Sequence, residues 1–121
     1  MTATNRVAGV CYLKANGKQL TLGGSFTVSP SKVEREGVVG MSGVAGYKEI
    51  PVIPYIEGEV ITTADLDIEE LDAFVDGTVT AELANGKNYV LTNAWRAGRS
   101  EIDGVEGKLP VRFEGLSCEQ F

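Results

Sequence analysis

The sequence predicts a mainly β fold, an antiparallel sandwich or half-barrel with one short α-helix, and three observations indicate it. Two segments share the letters ANGK between extended runs, several stretches alternate apolar with polar side chains, and only one stretch has a helix signature. Asn-Gly favours the tight turns that join antiparallel strands. The 121 residues are expected to form one domain, because a chain of this length builds one core.

The two ANGK segments, at 13–22 and 82–91, predict two hairpins with type I′ turns. In the first hairpin, apolar and polar side chains alternate, and Gly23-Gly24 permits a bulge. The second hairpin alternates in the same way, as do the residues around Val111 near the C-terminus. Each of these strands is therefore expected to have one buried face and one wet face.

The helix signal is DLDIEELDAF, residues 65–74, where Asp67 can cap and Glu70 stands at the capping-box position. Leu71 and Phe74 supply its apolar side. Upstream, Pro51 and Pro54 predict an extended, edge-like path through 47–61, because proline cannot donate to a β ladder. The predicted helix then joins two β regions.

Between Val28 and Tyr47 lies a long connection without clear periodicity, containing the glycine-rich stretch GVVGMSGVAG. Its spacing fits neither a phosphate-binding loop nor a collagen repeat. Its apolar side chains instead favour docking on a neighbouring molecule. We predict that residues 29–47 form an arm that lies along an adjacent subunit and orders on assembly, with glycines permitting close backbone approach. The candidate contact residues are Val38, Val39, Gly40, Met41, Gly43, Val44, Gly46 and Tyr47.

The composition disfavours several functions. A net charge of −6 opposes binding to nucleic-acid phosphates, and the absence of histidine removes most familiar catalytic and zinc arrangements. No catalytic residue, metal ligand or cofactor is predicted. Cys11 and Cys118 are expected to be buried thiols without a disulfide. No apolar run approaches a membrane span and the N-terminus lacks a secretory pattern, so a cytosolic product is expected.

Three other interpretations stay open at this stage. The acidic run at 65–72 suggests calcium, although Glu70 occupies the position where an EF-hand loop needs glycine. Glu57 and Glu59 have the residue types of a glycosidase pair, but alternate strand positions equally form an exposed edge. Trp95 and Tyr89 would serve a carbohydrate-binding β-sandwich module.

Seven blocks spread over nearly the whole chain carry a resemblance to a known family. They are RVAG at 6–9, GSFTVSPS at 24–31, EREG at 34–37, GVAGYKE at 43–49, TVTAELANGK at 78–87, NAW at 93–95 and RFEG at 112–115. Through them the sequence resembles the tail tube proteins of contractile-tailed bacteriophages, in the group typified by phage Mu. A tube of a contractile injection or secretion machine is the alternative within the same architecture.

The resemblance implies a structural, non-enzymatic virion protein. Its subunits would form sixfold rings that stack into a hollow tube, each completing a larger barrel through which the genome leaves the capsid. Implied partners are further copies of the chain, the tail sheath, baseplate, tail terminator and tape measure proteins, and double-stranded DNA in transit. Assembly is expected in the cytoplasm of the bacterial host, without membrane anchoring.

An acidic channel would repel phosphates mildly and let a duplex slide without salt-sensitive sticking. Polar positions on the wet faces of the two hairpins are therefore the lumen-facing candidates. They are Gln19, Thr21, Ser25, Thr27, Thr78, Thr80, Glu82 and Asn88.

Overall fold

A computed structural model describes residues 11–121, which form ten strands and one short helix. The strands are β1 (Tyr12–Ala15), β2 (Lys18–Leu20), β3 (Leu22–Ser29), β4 (Val33–Gly40), β5 (Gly43–Pro51), β6 (Tyr55–Ile61), β7 (Gly77–Glu82), β8 (Asn88–Ala97), β9 (Lys108–Glu114) and β10 (Ser117–Gln120), and the helix is α1 (Ile68–Asp72). The RVAG block at 6–9 lies outside the described residues. Within the described range no helix has the length and apolarity of a membrane span.

Eight strands form one antiparallel sheet in the order β2-β1-β7-β8-β9-β6-β3, with β10 beside β8. The two halves of this sheet share a single core, because apolar residues of β1, β7 and β8 pack with those of β6 and β9. The largest fully buried side chains include Leu13 and Leu91 from one half and Ile56, Leu109 and Phe113 from the other. The predicted mainly β fold with one short helix is confirmed.

Both predicted hairpins form, but only the first has the predicted turn. Asn16 and Gly17 both take positive φ angles, and Asn16 Oδ1 accepts a hydrogen bond of 2.9 Å from the Thr78 amide of β7. In the second hairpin only Gly86 has a positive φ, and the Leu83 amide donates to the Lys87 carbonyl across a wider loop. The type I′ prediction is therefore wrong for the second turn.

Strand β8 belongs to both halves of the sheet. Its first part pairs with β7 and β10, and Trp95 to Ala97 pair with β9. At the change of partner, Asn93 adopts a positive φ of 49°. This local irregularity resets the alternation, so that Leu91, Ala94 and Arg96 are all buried.

The predicted helix and its cap are confirmed, although α1 is shorter than 65–74. Asp67 caps it by accepting hydrogen bonds from the Glu69 and Glu70 amides. Glu70 does not complete a capping box with the Asp67 amide. Its carboxylate instead lies 3.5 Å from Lys18 Nζ. Phe74 follows the helix and packs edge-on against Phe113, with ring centroids 5.3 Å apart, which ties α1 to the core.

Two other expectations need correction. The segment after Pro54 is not an edge, because β6 pairs with β3 on one side and β9 on the other. Its prolines lie before the strand and leave its ladder intact. Cys11 and Cys118 are half-buried rather than buried, and burial raises the pKa of the Cys118 thiol.

The predicted bulge after the first hairpin is confirmed, since the β3–β6 register shifts between Leu22 and Phe26. Gly58 of β6 lies opposite this irregularity, and a Cβ there would come within 2.9 Å of the Ser25 carbonyl oxygen. The close approach of two backbones therefore requires glycine at this position.

Candidate assembly surfaces

The predicted arm is a regular hairpin rather than an irregular connection. Within residues 11–121, strands β4 and β5 pair only with each other, over Val33–Gly40 and Gly43–Pro51, and Met41 and Ser42 form the turn. The arm is therefore the hairpin Val33–Pro51. Its side chains do not alternate because neither of its faces packs on the core, and almost all of its residues are exposed.

The tip of the arm is apolar and open to solvent. Val39 and Val44 face each other across the hairpin with 77% and 85% of their surface exposed, and Met41 is fully exposed. Nearer the body, Arg35 lies 3.6 Å from Glu49 and 5.8 Å from the Tyr47 ring centroid. The arm thus has a charged stem and an apolar tip.

The four glycine positions of the arm differ in whether the backbone conformation or the available space requires glycine. Gly43 and Gly46 take φ angles of 125° and 149°, beside the turn and beside a bulge at Ala45. Gly37 and Gly40 have ordinary backbone conformations, and a Cβ on either would make no tight contact inside the subunit. Nothing in the part of the subunit that the structure describes therefore requires glycine at 37 or 40.

The structure divides the lumen-facing candidates between two surfaces on opposite sides of the core. Ser25 and Thr27 lie on the outward side of β3, next to β6 and β9; this surface is called the β6 face. Thr21 lies at the corner between β2 and β3. The remaining five lie on the outward side of the other half of the sheet, called the β7 face: Gln19, Thr78, Thr80, Glu82 and Asn88.

The β6 face carries an ion-pair network that neutralises its cations. Arg112 donates to Glu57 Oε2 at 3.2 Å and to Glu114 Oε2 at 3.1 Å, and its guanidinium stacks 3.8 Å from the Tyr55 ring centroid. Lys108 lies 3.9 Å from Glu59 in the next row. The face therefore presents carboxylates whose cationic neighbours are already engaged.

Beyond the Lys108 end of this face, the loop between β8 and β9 contains a turn in which two backbone amides bind the carboxylate of Asp103. The amides of Glu106 and Val105 donate to Asp103 Oδ1 and lower the pKa of that carboxyl.

The other functional interpretations find little support in the geometry. Glu57 and Glu59 each have a cationic partner, an arrangement typical of an exposed ion-pair ladder. Trp95 lies on the side of β8 away from Arg96, whereas Tyr89 packs against the core, so the two aromatics do not form one platform. Across residues 11–121 no cluster of three or more His, Cys, Asp or Glu side chains could hold a metal ion.

Sequence reasoning missed Arg96, a buried cation. Its side chain is only 2% exposed, and its Nη1 lies 4.0 Å from Asp72 Oδ1 at the end of α1. Asp72 also accepts a 2.6 Å hydrogen bond from the Ser100 hydroxyl. The arginine links the helix to β8. The NAWR stretch does not indicate this, because an isolated strand arginine is usually exposed.

With these surfaces described, the comparisons with known proteins decide the family. A family model described as phage tail tube protein matches residues 4–120. The chain belongs to this family. It is 30% identical to the Mu-like prophage FluMu tail tube protein of Haemophilus influenzae, over 93% of both chains. It is 33% identical to the tail tube protein of Escherichia phage Mu, over 86% of this chain and 87% of that one.

Solved structures share the fold of this tail tube protein at low sequence identity. The sheath/tube terminator of an extracellular contractile injection system, PVC, has a TM-score of 0.66 at 9% identity, and covers 98% of this chain and 99% of its own. Hcp1 from Flavobacterium johnsoniae has a TM-score of 0.61 at 13% identity, over 93% of this chain and 94% of its own. The chain is thus a structural tail tube protein, and its family description names no reaction.

Proposed function

We propose that the chain builds the inner tube of a contractile phage tail as stacked sixfold rings, and that this tube conducts the genome. The observation that carries the proposal is the arm, a hairpin about 25 Å long whose strands, among residues 11–121, pair with each other alone and are almost entirely exposed. An exposed apolar hairpin of this kind gains its packing from a neighbouring molecule. The whole chain acts as one tail tube domain.

Ring closure would use the edges of the sheet. Strand β3 pairs with β6 on one side, and its other side has no strand partner among the described residues. An eight-residue edge with free backbone groups is a template for pairing with another chain. Pairing between neighbouring subunits would join the sheets into a continuous barrel around a channel.

The β6 face is the better candidate for the channel surface. It is formed by three long strands, β3, β6 and β9, and the arm leaves from the ends of two of them. Its strand cations, Arg112 and Lys108, are held by carboxylates, and Arg99 at its border pairs with Glu101. Among the described residues of this face, a passing duplex would therefore meet basic groups that already have an acidic partner. Ser25 and Thr27 are then lumen-facing, and the candidates on the β7 face point away from the channel.

The proposed partners follow from tube architecture. Neighbouring structures include a sheath/tube terminator and a sheath-tube complex of a contractile injection system, and the cap of the anti-feeding prophage. By analogy, the outside of this tube would contact a sheath, and its ends would contact baseplate and terminator proteins. The channel would hold a tape measure protein before DNA, and assembly would occur in the host cytoplasm.

Imaging tests the assembly itself. Negative-stain electron microscopy of the purified chain across a concentration series, with sedimentation velocity on the same samples, should show rings or hollow tubes of uniform width. A chain that stays monomeric at every concentration, with and without preassembled baseplates, would contradict the proposal.

A site-specific label tests which face lines the channel. Thr27→Cys on the β6 face and Thr80→Cys on the β7 face would each be introduced with Cys11 and Cys118 replaced by serine, then labelled with a gold cluster before assembly. We expect gold from Thr27→Cys along the tube axis and gold from Thr80→Cys away from it. The reverse distribution would assign the channel to the β7 face.

A tube of a contractile injection system is the second candidate, because several structures of similar fold come from such systems. Genes for a capsid and a portal beside the gene for this chain would identify the phage tail.

A further inference from the structure

An apolar groove lies between α1 and the β1–β2 turn. It has a volume of about 260 Å³ and is lined chiefly by Ala15, Leu20, Leu66, Leu71, Phe74 and Val75. Lys18 and Glu70 lie at its border and pair across 3.5 Å. Val75 remains 65% exposed although it lines the groove. This surface, the α1 groove, is large enough for a few aliphatic side chains but smaller than most small-molecule sites.

The chain also carries a protruding apolar surface of matching character, the arm tip formed by Val39, Met41 and Val44. Val39 and Val44 flank the two-residue turn that contains Met41, and all three side chains are largely exposed. A protrusion and a groove of the same chemistry on one chain can meet between two copies.

The strand registers place the two features at opposite ends of β6. The arm leaves the body where Ser29 pairs with Tyr55, at the first residue of β6. Leu20 and Leu66 of the α1 groove lie beside Val60 and Ile61, at the last residues of β6. When two subunits stack along the direction of β6, the end of one subunit that carries the arm therefore faces the end of the next that carries the groove.

Net charge does not oppose the same pairing. Between Ser29 and Val52, Lys32, Arg35 and Lys48 balance the three glutamates, so this segment is neutral in a chain of net charge −6. The α1 groove is bordered by the acidic run from Asp65 to Asp72. The arm thus approaches an acidic border without the repulsion that the rest of the chain would meet.

From these observations we infer that the arm tip of one subunit inserts into the α1 groove of a subunit in the next ring. The inference rests on the proposed tube, for which it specifies the contact between rings. Such a contact is heterologous, because two different surfaces meet, and it repeats without closing, which gives a filament rather than a closed pair.

Two complementary variants test the insertion. Met41→Asp places a charge on the arm tip, and Val75→Glu places one in the α1 groove; both positions are exposed, so each subunit should fold. Each variant alone should form rings but no tubes. Mixed together, they should form stacks of only two rings, because intact arms of the Val75→Glu ring enter intact grooves of the Met41→Asp ring. Leu116→Glu is the control, because the exposed fraction of Leu116, 62%, is similar to the 65% of Val75, but Leu116 does not line the groove. This variant should form tubes like the wild type.

The outcomes separate this inference from the proposed function. Tubes of normal length from Val75→Glu would overturn the groove contact and leave the tube intact. Absence of any ring or tube from the wild-type chain would overturn both.

A cross-linking experiment gives a second measurement. Met41→Cys combined with Val75→Cys, without the native cysteines, should yield a ladder of covalent oligomers after oxidation of assembled tubes, and Met41→Cys with Leu116→Cys should yield none. If cysteines at Val75, Ala73 and Leu66 all fail to cross-link to position 41 in intact tubes, the contact is wrong.

Discussion

The body and the arm of this chain are both antiparallel β structure, yet they are stabilised in different ways. In the body, Ile56, Leu91 and Phe113 are fully buried, and the two halves of one sheet share a core. In the arm, only Ile50 is even half-buried, and the hairpin has backbone pairing and exposed ion pairs. A two-stranded hairpin is marginal in water by itself. We therefore expect the arm, unlike the body, to need a partner for its stability.

The largest effect on the isolated subunit is expected from the core. Phe113→Ala removes a fully buried ring that packs against Phe74. It should lower the free energy of unfolding by about 3–5 kcal/mol, because a cavity replaces the aromatic contacts. Urea denaturation followed by tryptophan fluorescence would measure it. A loss below about 1 kcal/mol would mean that the two halves do not share this core.

A smaller effect is expected at α1. Asp67→Ala leaves the Glu69 and Glu70 amides without their acceptor, and should cost about 1 kcal/mol. Asp65→Ala, two residues earlier and outside the cap, is the matched control and should change the free energy of unfolding by less than half as much. Equal effects from the two variants would show that net charge, not capping, is responsible.

The smallest change in the free energy of unfolding is expected in the arm. The same substitutions there should nevertheless abolish tube formation. Gly37→Val with Gly40→Val adds side chains at two positions with no tight contact inside the subunit. The free energy of unfolding should change by about 0.5 kcal/mol or less, as for other exposed sites. Tube formation, scored by electron microscopy, should be lost because the added side chains separate the arm from its neighbour. Normal tubes would show that close backbone approach at these glycines is not needed.

Prediction from sequence succeeded where local chemistry determines the structure. Asp67 specifies the start of α1. Asn16-Gly17 forms the predicted turn, whereas the same ANGK letters at 84–87 form a wider loop, so these four letters alone do not determine the turn. The arm was predicted as a contact segment but not as a hairpin, since it lacks an Asn-Gly turn and has no buried face to impose alternation. One signal was available: Arg35 and Glu49, like Glu36 and Lys48, are opposite charges placed symmetrically about the turn.

Long-range geometry explains the rest of what the sequence did not reveal. The lumen-facing candidates were all chosen as polar side chains on alternating strands. This pattern does not indicate which half of the sheet a strand joins. Arg96 is buried because the backbone at Asn93 resets the alternation of β8, which no pattern of residue types indicated. The α1 groove likewise exists only because the β1–β2 turn and the helix meet in space.

Hydrogen–deuterium exchange of the wild-type chain, as dispersed subunits and as assembled tubes, tests the central claim most directly. The account predicts that amides of the arm, Val33–Pro51, exchange at least about tenfold more slowly in tubes, because subunit contacts cover a segment that is exposed in the free chain. Core amides of β6 and β9 should be protected in both states. Equal exchange of the arm in the two states would contradict the claim that the arm joins one subunit to the next.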